Sequence, residues 1–414
     1  MRPRPLLVLC ILAAALSGAS AGQTPSLQAM IDATAPGGVL RPEPGVYAGP
    51  VTIAKPMTLD GRGAVVVKGD GAGTVIAIEG SGVTVQGLTI RDSGVRHDKV
   101  DAAITASGRY HVIKDNRIEN CLFGINLHQA HNSIVRRNVI SSRPELELPQ
   151  KGDAIRLWYS NDNLVEGNLV SGARDSVVWY SRRNKVIGNK VEGGQYGIHF
   201  MYAHENVAER NVLRGGVVGI FVMFGEKNRL AHNRIEYAQG PSGMGIGFKE
   251  GSGSRVEDND ILGNAVGIYL DASPYEPDLN NEFVENRIAF NGIAVQLHSD
   301  LPGNTFARND FVSNHTMVTV NGGGGATNSR WEGNHYDFYE GFDRNRDGVG
   351  DTPLQVFSWA DRLWMDVKEA RFFRASAALE LIDFIERLMP LSEPRLMMRD
   401  ESPHMRRIAR APKE

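Results

Sequence analysis

Cysteine is nearly absent, with 2 in 414 residues. Cys10 sits in an apolar N-terminal run and leaves with it, so Cys121 has no partner for an internal disulfide. The fold must therefore stand on its core alone. A dominant charge is also missing: 45 Lys and Arg face 48 Asp and Glu, a net charge of −3, or −5 once Arg2 and Arg4 are removed. No basic stripe runs through the chain, and Arg136-Arg137 and Arg182-Arg183 are isolated pairs, which argues against nucleic acid as a partner. Beyond the first residues no apolar run is long enough to cross a membrane.

That first run is an address. Arg2 and Arg4 precede Leu6 to Leu16, and Ala19-Ser20-Ala21 offers a small-residue cleavage site, so residues 1–21 read as a secretory signal removed after Ala21. Leu9 before Cys10 does not fit a lipoprotein box. Export follows. Cys121, at a cramped turn position, reads as a buried small hydrophobe rather than a ligand or nucleophile.

What the sequence has in abundance is repetition. Gly197-Ile198-His199-Phe200-Met201 is followed by Asn206 and Asn211; 22 residues later stand Gly219-Ile220-Phe221-Val222-Met223, Asn228 and Asn233. The second Asn of the unit recurs at Asn116, Asn138, Asn168, Asn189, Asn259, Asn286, Asn309 and Asn334, with Gln86 in the same place earlier. The first recurs at Asn163, Asn184, Asn281 and Asn304. A fixed period in the twenties marks a stacked solenoid. The apolar residues alternate, so its elements are strands. Asn supplies left-handed turns, and identical amides stacked from coil to coil form ladders. The expectation is an all-β fold: a single right-handed parallel β-helix over residues 37–341, with three short strands per coil.

The ends differ. Residues 22–36 hold a short amphipathic helix, Ser26 to Ala35, that covers the first coil with Leu27, Met30 and Ile31. Residues 342–353 hold Asp343, Asn345, Asp347, Gly348 and Asp351, the start of a calcium loop, but its twelfth position is Leu354 instead of a bidentate acid. Calcium binding and a ligand-free connector rich in Asx turns both stay open. Residues 354–414 form a helical cap and tail. Ala375 to Leu388 places its apolar residues along one side, expected against the last coils, and the stretch from Ser392 reads as polar and mobile despite Met397, Met398, His404 and Met405.

The outer face departs from a surface made for water. Four places after the repeat glycine, successive coils carry His128, Trp158, Trp179, Met201 and Met223. Five places on they carry Gln129, Tyr159, Tyr180, Tyr202 and Phe224, and two places on Asn126, Arg156, Val177, His199 and Phe221. Coils stack about 4.8 Å apart, so these are contiguous columns. Aromatics and Met in such a patch mark a docking face, unless the insert around Pro144 to Pro149 or the C-terminal segment covers it. Within it His199, Met201, His204 and Met223 make a soft set suited to Cu(I), although a Met column also packs well without metal.

The stretches Gly197 to Tyr202, Asn211 to Phe224, Asp343 to Pro353 and Leu391-Ser392-Glu393-Pro394 resemble the NosD family, periplasmic maturation factors of nitrous oxide reductase. The resemblance spans the mature chain. It implies a non-catalytic protein that works with an ABC transporter of the inner membrane and a copper chaperone in supplying the enzyme's copper centre. The rival is a polysaccharide lyase, hydrolase or epimerase on the same solenoid. That chemistry needs converging acids or a base. Asp271 and Asp278 beside Tyr275, with Lys249, are the candidates, and no second acidic column lines up with them.

Overall fold

The computed structural model describes residues 26–321, 324–358, 363, 365, 367–373, 376–389 and 393–409. The expected signal segment, 1–21, and the helix stop at Pro390 lie outside them. The alternating residues fold as a right-handed parallel β-helix of about 13 turns with ~23 residues per turn. One coil comprises Tyr196–Met201, Val207–Glu209 and Val212–Arg214; the next comprises Val218–Met223, Arg229–Ala231 and Arg234–Glu236. All three pairs are parallel and in register, as at Ile198↔Ile220, Ala208↔Leu230 and Leu213↔Ile235. The first strand of each coil builds one wall of 12 strands. The other two walls merge near the N-terminus, where Thr58–Lys68 and Thr84–Arg91 run round the corner between them. Alternation sends Ile198, Phe200, Ile220 and Val222 inward, where all are buried. Cys121 is buried with them, and burial pushes its thiol up to about 11, which leaves it inert.

Parallel strands leave turn backbone that water cannot reach, and the asparagines satisfy it. Each amide accepts the N–H of its counterpart one coil before. Its Nδ2 then donates to a carbonyl one coil back and to the amide ahead, as in Asn211 Nδ2 to Val186 O (2.9 Å) and to Asn233 Oδ1 (2.9 Å). One such ladder runs from Asn116 through Asn138, Asn168, Asn189, Asn211, Asn233, Asn259, Asn286 and Asn309 to Asn334. A second runs Asn163, Asn184, Asn206 and Asn228, continues through Ser254 and resumes at Asn281 and Asn304. A third, Asn264, Asn291 and Asn314, was not expected. Gln86 does not join: it lies within a continuous strand opposite Lys114, and Asn116 Oδ1 instead accepts from Leu88 N–H.

The caps behave differently at the two ends. The N-terminal helix, Leu27–Ala33, is N-capped by Ser26 Oγ and buries Leu27 and Ile31 on the first coil. At the far end the seal is a hairpin, Leu354–Ser358 antiparallel to Arg395–Asp400. The stretch from Ser392, read as a polar mobile tail, thus contains the closing strand, with Met397 and Met398 in the core. Two adjacent apolar residues satisfy both faces of a strand that is covered twice. The helix Ala377–Leu388 does not cap: it packs through Leu379, while Leu381, Phe384, Ile385 and Leu388 stand exposed, because the hairpin already occupies the open coil.

Candidate docking and soft-metal face

The expected columns form on the outside of the 12-stranded wall. His128, Trp158, Trp179, Met201, Met223 and Lys249 follow one another in register. Beside them, at the corner, Tyr159, Tyr180, Tyr202 and Phe224 all take left-handed backbone, with φ of 48°, 49°, 47° and 54°. That shared turn aligns their rings in a continuous stack, with centroids 5.0, 5.0 and 4.7 Å apart. Non-glycine residues rarely hold this conformation, so ring stacking offsets a local backbone cost. Tyr159, Tyr180 and Tyr202 are exposed and the neighbouring Trp and Met side chains are half-buried. Trp158 and Trp179 meet edge to face at 4.5 Å, with the Arg156 guanidinium over both.

The column two places after the glycine is a correction. Asn126, Val177, His199 and Phe221 point off the sheet but are buried. Tyr196, from the start of the same strand as His199, lies over His199 at 4.5 Å and over Phe221 at 5.4 Å. On the other side Phe221 lies across Gly247: a Cβ there would stand 2.4 Å from the ring and 2.7 Å from Met244 Sδ. Only glycine fits.

Burial, with Arg174 nearby, pushes the His199 imidazole down to about 4. It is therefore neutral at physiological pH, and its Nε2 is buried without a hydrogen-bond partner. Met201 lies two residues along the same strand, and Met223 is Met201's partner in the next coil. His204 is not brought into this group: it lies past the corner, its Nδ1 3.9 Å from Glu226, with its pKa lowered chiefly by burial.

Sequence reasoning missed an ionic cluster behind His199. Asp153, buried, holds Arg174 Nη2 at 2.8 Å and Arg156 Nη1 at 3.3 Å. Asp175, beside it, accepts from Tyr196 N–H at 3.2 Å, and burial together with the Asp153 charge raises its carboxyl to about 7. The available signal was the spacing of Asp153 and Asp175, within one residue of the local repeat. These acids are ion-paired by two arginines; the candidates Asp278 and Tyr275 are exposed on a loop, and Lys249 merely faces Asp271 in register.

In the Asp343 loop, the oxygens expected to hold calcium accept N–H groups of the loop itself. Asp343 takes Asp347 and Gly348, Asn345 takes Asp347, Asp347 takes Val349, and Asp351 takes Arg344. These are Asx turns, which hold the shape of the loop. Among the described residues no three His, Cys, Asp or Glu side chains gather to hold a metal, and no helix is long and apolar enough to cross a membrane.

Fold and face together define a parallel β-helix whose outer wall carries stacked aromatics and half-buried thioethers. Comparison with known proteins is specific. The model of the family described as periplasmic copper-binding protein (NosD) matches residues 142–341. A relative from Pseudomonas aeruginosa, described as a probable ABC transporter binding protein NosD, is 31% identical over 89% of this chain and 88% of its own length. One of the same description from Stutzerimonas stutzeri is 28% identical over 84% of this chain and 82% of its own. The chain belongs to the NosD family. Among solved structures, the A-module of the Azotobacter vinelandii mannuronan C-5 epimerase AlgE6 aligns with TM-score 0.50 at 15% identity, covering 76% of this chain and 94% of that one. The alginate lyase AlyF-OU02 aligns with TM-score 0.50 at 12%, covering 75% and 82%. These share the fold alone.

Proposed function

We propose that this chain is a non-catalytic accessory protein that assists copper delivery to nitrous oxide reductase, together with an inner-membrane ABC transporter and a copper chaperone. The observation that carries this reading is the exposed aromatic and thioether face at Trp158–Tyr159, Trp179–Tyr180, Met201–Tyr202 and Met223–Phe224. Family membership supports copper and the periplasm, and the relatives' descriptions support the transporter. In this reading the aromatic columns, His128 included, dock the partner, with the buried Phe221 packed behind them. Met201 and Met223 hold Cu(I), with the neutral His199 behind them. Thioethers suit Cu(I) because they are soft and uncharged.

The test is anaerobic Cu(I) titration of the chain purified from the periplasm against a competing chelator, beside Met201→Ala and Met223→Ala. Each variant is expected to weaken one bound equivalent by roughly tenfold or more. Binding unchanged in both would remove copper from this face.

A further inference from the structure

A second soft cluster lies at the other end of the sheet. The repeat glycine forms a column, Gly197, Gly219, Gly245 and Gly267, continued in register by Ala294 and Met317. Glycine is required there because a Cβ would strike the carbonyl of the next coil, at 2.6 Å from Gly219 and 2.6 Å from Gly267. Among the described residues no further strand of this wall follows the last coil, and the column ends in a methionine. Met317 lines a cavity of about 450 Å³ under the C-terminal hairpin, shared with Met365 and with Met397 of the closing strand. All three thioethers are buried, and they arrive from three separate segments. His315 lines the same cavity, held at 3.2 Å from Glu380 of the exposed helix. Ser358 Oγ, also in the wall, is buried with no hydrogen-bond partner.

A cap built only for packing fills its volume, since a void forfeits contacts on every wall. This one is left open, with three methionines among its lining side chains. Neutral sulfur donors with one imidazole favour a soft monovalent ion. Divalent ions ask for charged or harder ligands, and their desolvation cost rises with the square of the charge. Asp337 in the wall and Glu380 beside His315 supply compensating negative charge. Methionine side chains are flexible enough to close on an ion without moving the backbone.

We propose that this cavity is a second Cu(I) site, held by Met317, Met365 and Met397 with His315 at its mouth. It rests on the copper-handling reading but not on the outer face. Four strand spacings separate Met317 from the coil of Met223, about 19 Å along the axis, so the two sites load independently.

The experiment is the same anaerobic titration on four proteins: wild type, Met201→Ala/Met223→Ala, Met317→Leu/Met365→Leu/Met397→Leu, and the two sets combined. Leucine preserves the packing. Wild type is expected to take two equivalents, each single set one, and the combination none. A cap variant that binds as wild type overturns the second site while leaving the face intact. A face variant that binds as wild type, with the cap variant losing its equivalent, upholds this site and removes the other. Wild type that takes no copper overturns both. If the leucine set fails to fold, methyl-¹³C methionine spectra of the wild type answer the question. The Met317, Met365 and Met397 signals must move as Cu(I) is added, and stationary signals would refute the proposal.

Discussion

Replacing Asn211 by Ala removes one rung from the longest ladder. The side chain is fully buried and makes four hydrogen bonds: its Oδ1 accepts from Asn189 N and Nδ2, and its Nδ2 donates to Val186 O and Asn233 Oδ1. Three of the four partners are not stranded. Asn189 Nδ2 keeps Val165 O and Ile187 O, Asn233 Oδ1 keeps the backbone N–H of Asn211, and Val186 O keeps its place in the parallel ladder with the next coil. Asn189 N–H is left buried and unpaired. The expected loss is about 1–3 kcal/mol. The isosteric Asn211→Asp separates shape from hydrogen bonding: it keeps both acceptor contacts but points carboxylate lone pairs at two oxygens. Its carboxyl must then be raised, so the variant loses stability as pH climbs above the ordinary carboxylate range and regains it on acidification. Urea denaturation followed by tryptophan fluorescence measures the loss, and hydrogen exchange at the Asn189 amide locates it. A loss below about 1 kcal/mol with the Asn189 amide still protected would refute the assignment of a buried, unreplaced donor.

Other outcomes follow from the same geometry. Asp175, raised to about 7, makes the protein less stable as pH rises from about 4 towards 7, whereas His199, lowered to about 4, makes it more stable between about 4 and 6.5. The two slopes oppose in the wild type. Asp175→Asn should uncover the histidine slope, a gain of about 2–3 kcal/mol from pH 4.5 to 6.5 in urea melts, and a flat curve would count against it. Tyr180→Ala loses ring contacts on both sides, costing about 1–2 kcal/mol in the same assay while cutting partner capture, and unaltered capture would take the column out of the docking face. Millimolar calcium should leave the melting temperature within about 1 °C if the Asp343 loop is a connector, and a rise of several degrees would establish the metal reading.

The solenoid was legible because its determinants are local and periodic: an alternation of two, a coil of about twenty-two residues, and an amide at each turn. The aromatic corner was legible for the same reason, since a fixed offset from the repeat glycine lands at a fixed place on the coil. What escaped depends on contacts the period does not encode. His199 is covered because Tyr196 folds back over it, and three residues' separation on a strand gives no sign of that. Asp153 and Asp175 obey the repeat, yet their pairing depends on where Arg156 and Arg174 reach. Met397 and Met398 looked like tail because the strand they pair with lies some forty residues upstream, beyond a stretch of another character.

The longest ladder also explains why the solenoid stops where it does. Every asparagine along it accepts from behind and donates ahead, so each coil hands the next an unspent N–H. The last donor, Asn334 Nδ2, meets Asp400 Oδ2 at 2.9 Å, and that carboxylate also takes the Asn334 N–H and the Tyr336 hydroxyl. Aspartate is asparagine with the donor deleted. It receives the chain of dipoles and has nothing to pass on, so no orphan amide remains to recruit a further coil or the open end of another molecule. One exchanged atom, nitrogen for oxygen, acts as a stop codon written in hydrogen bonds.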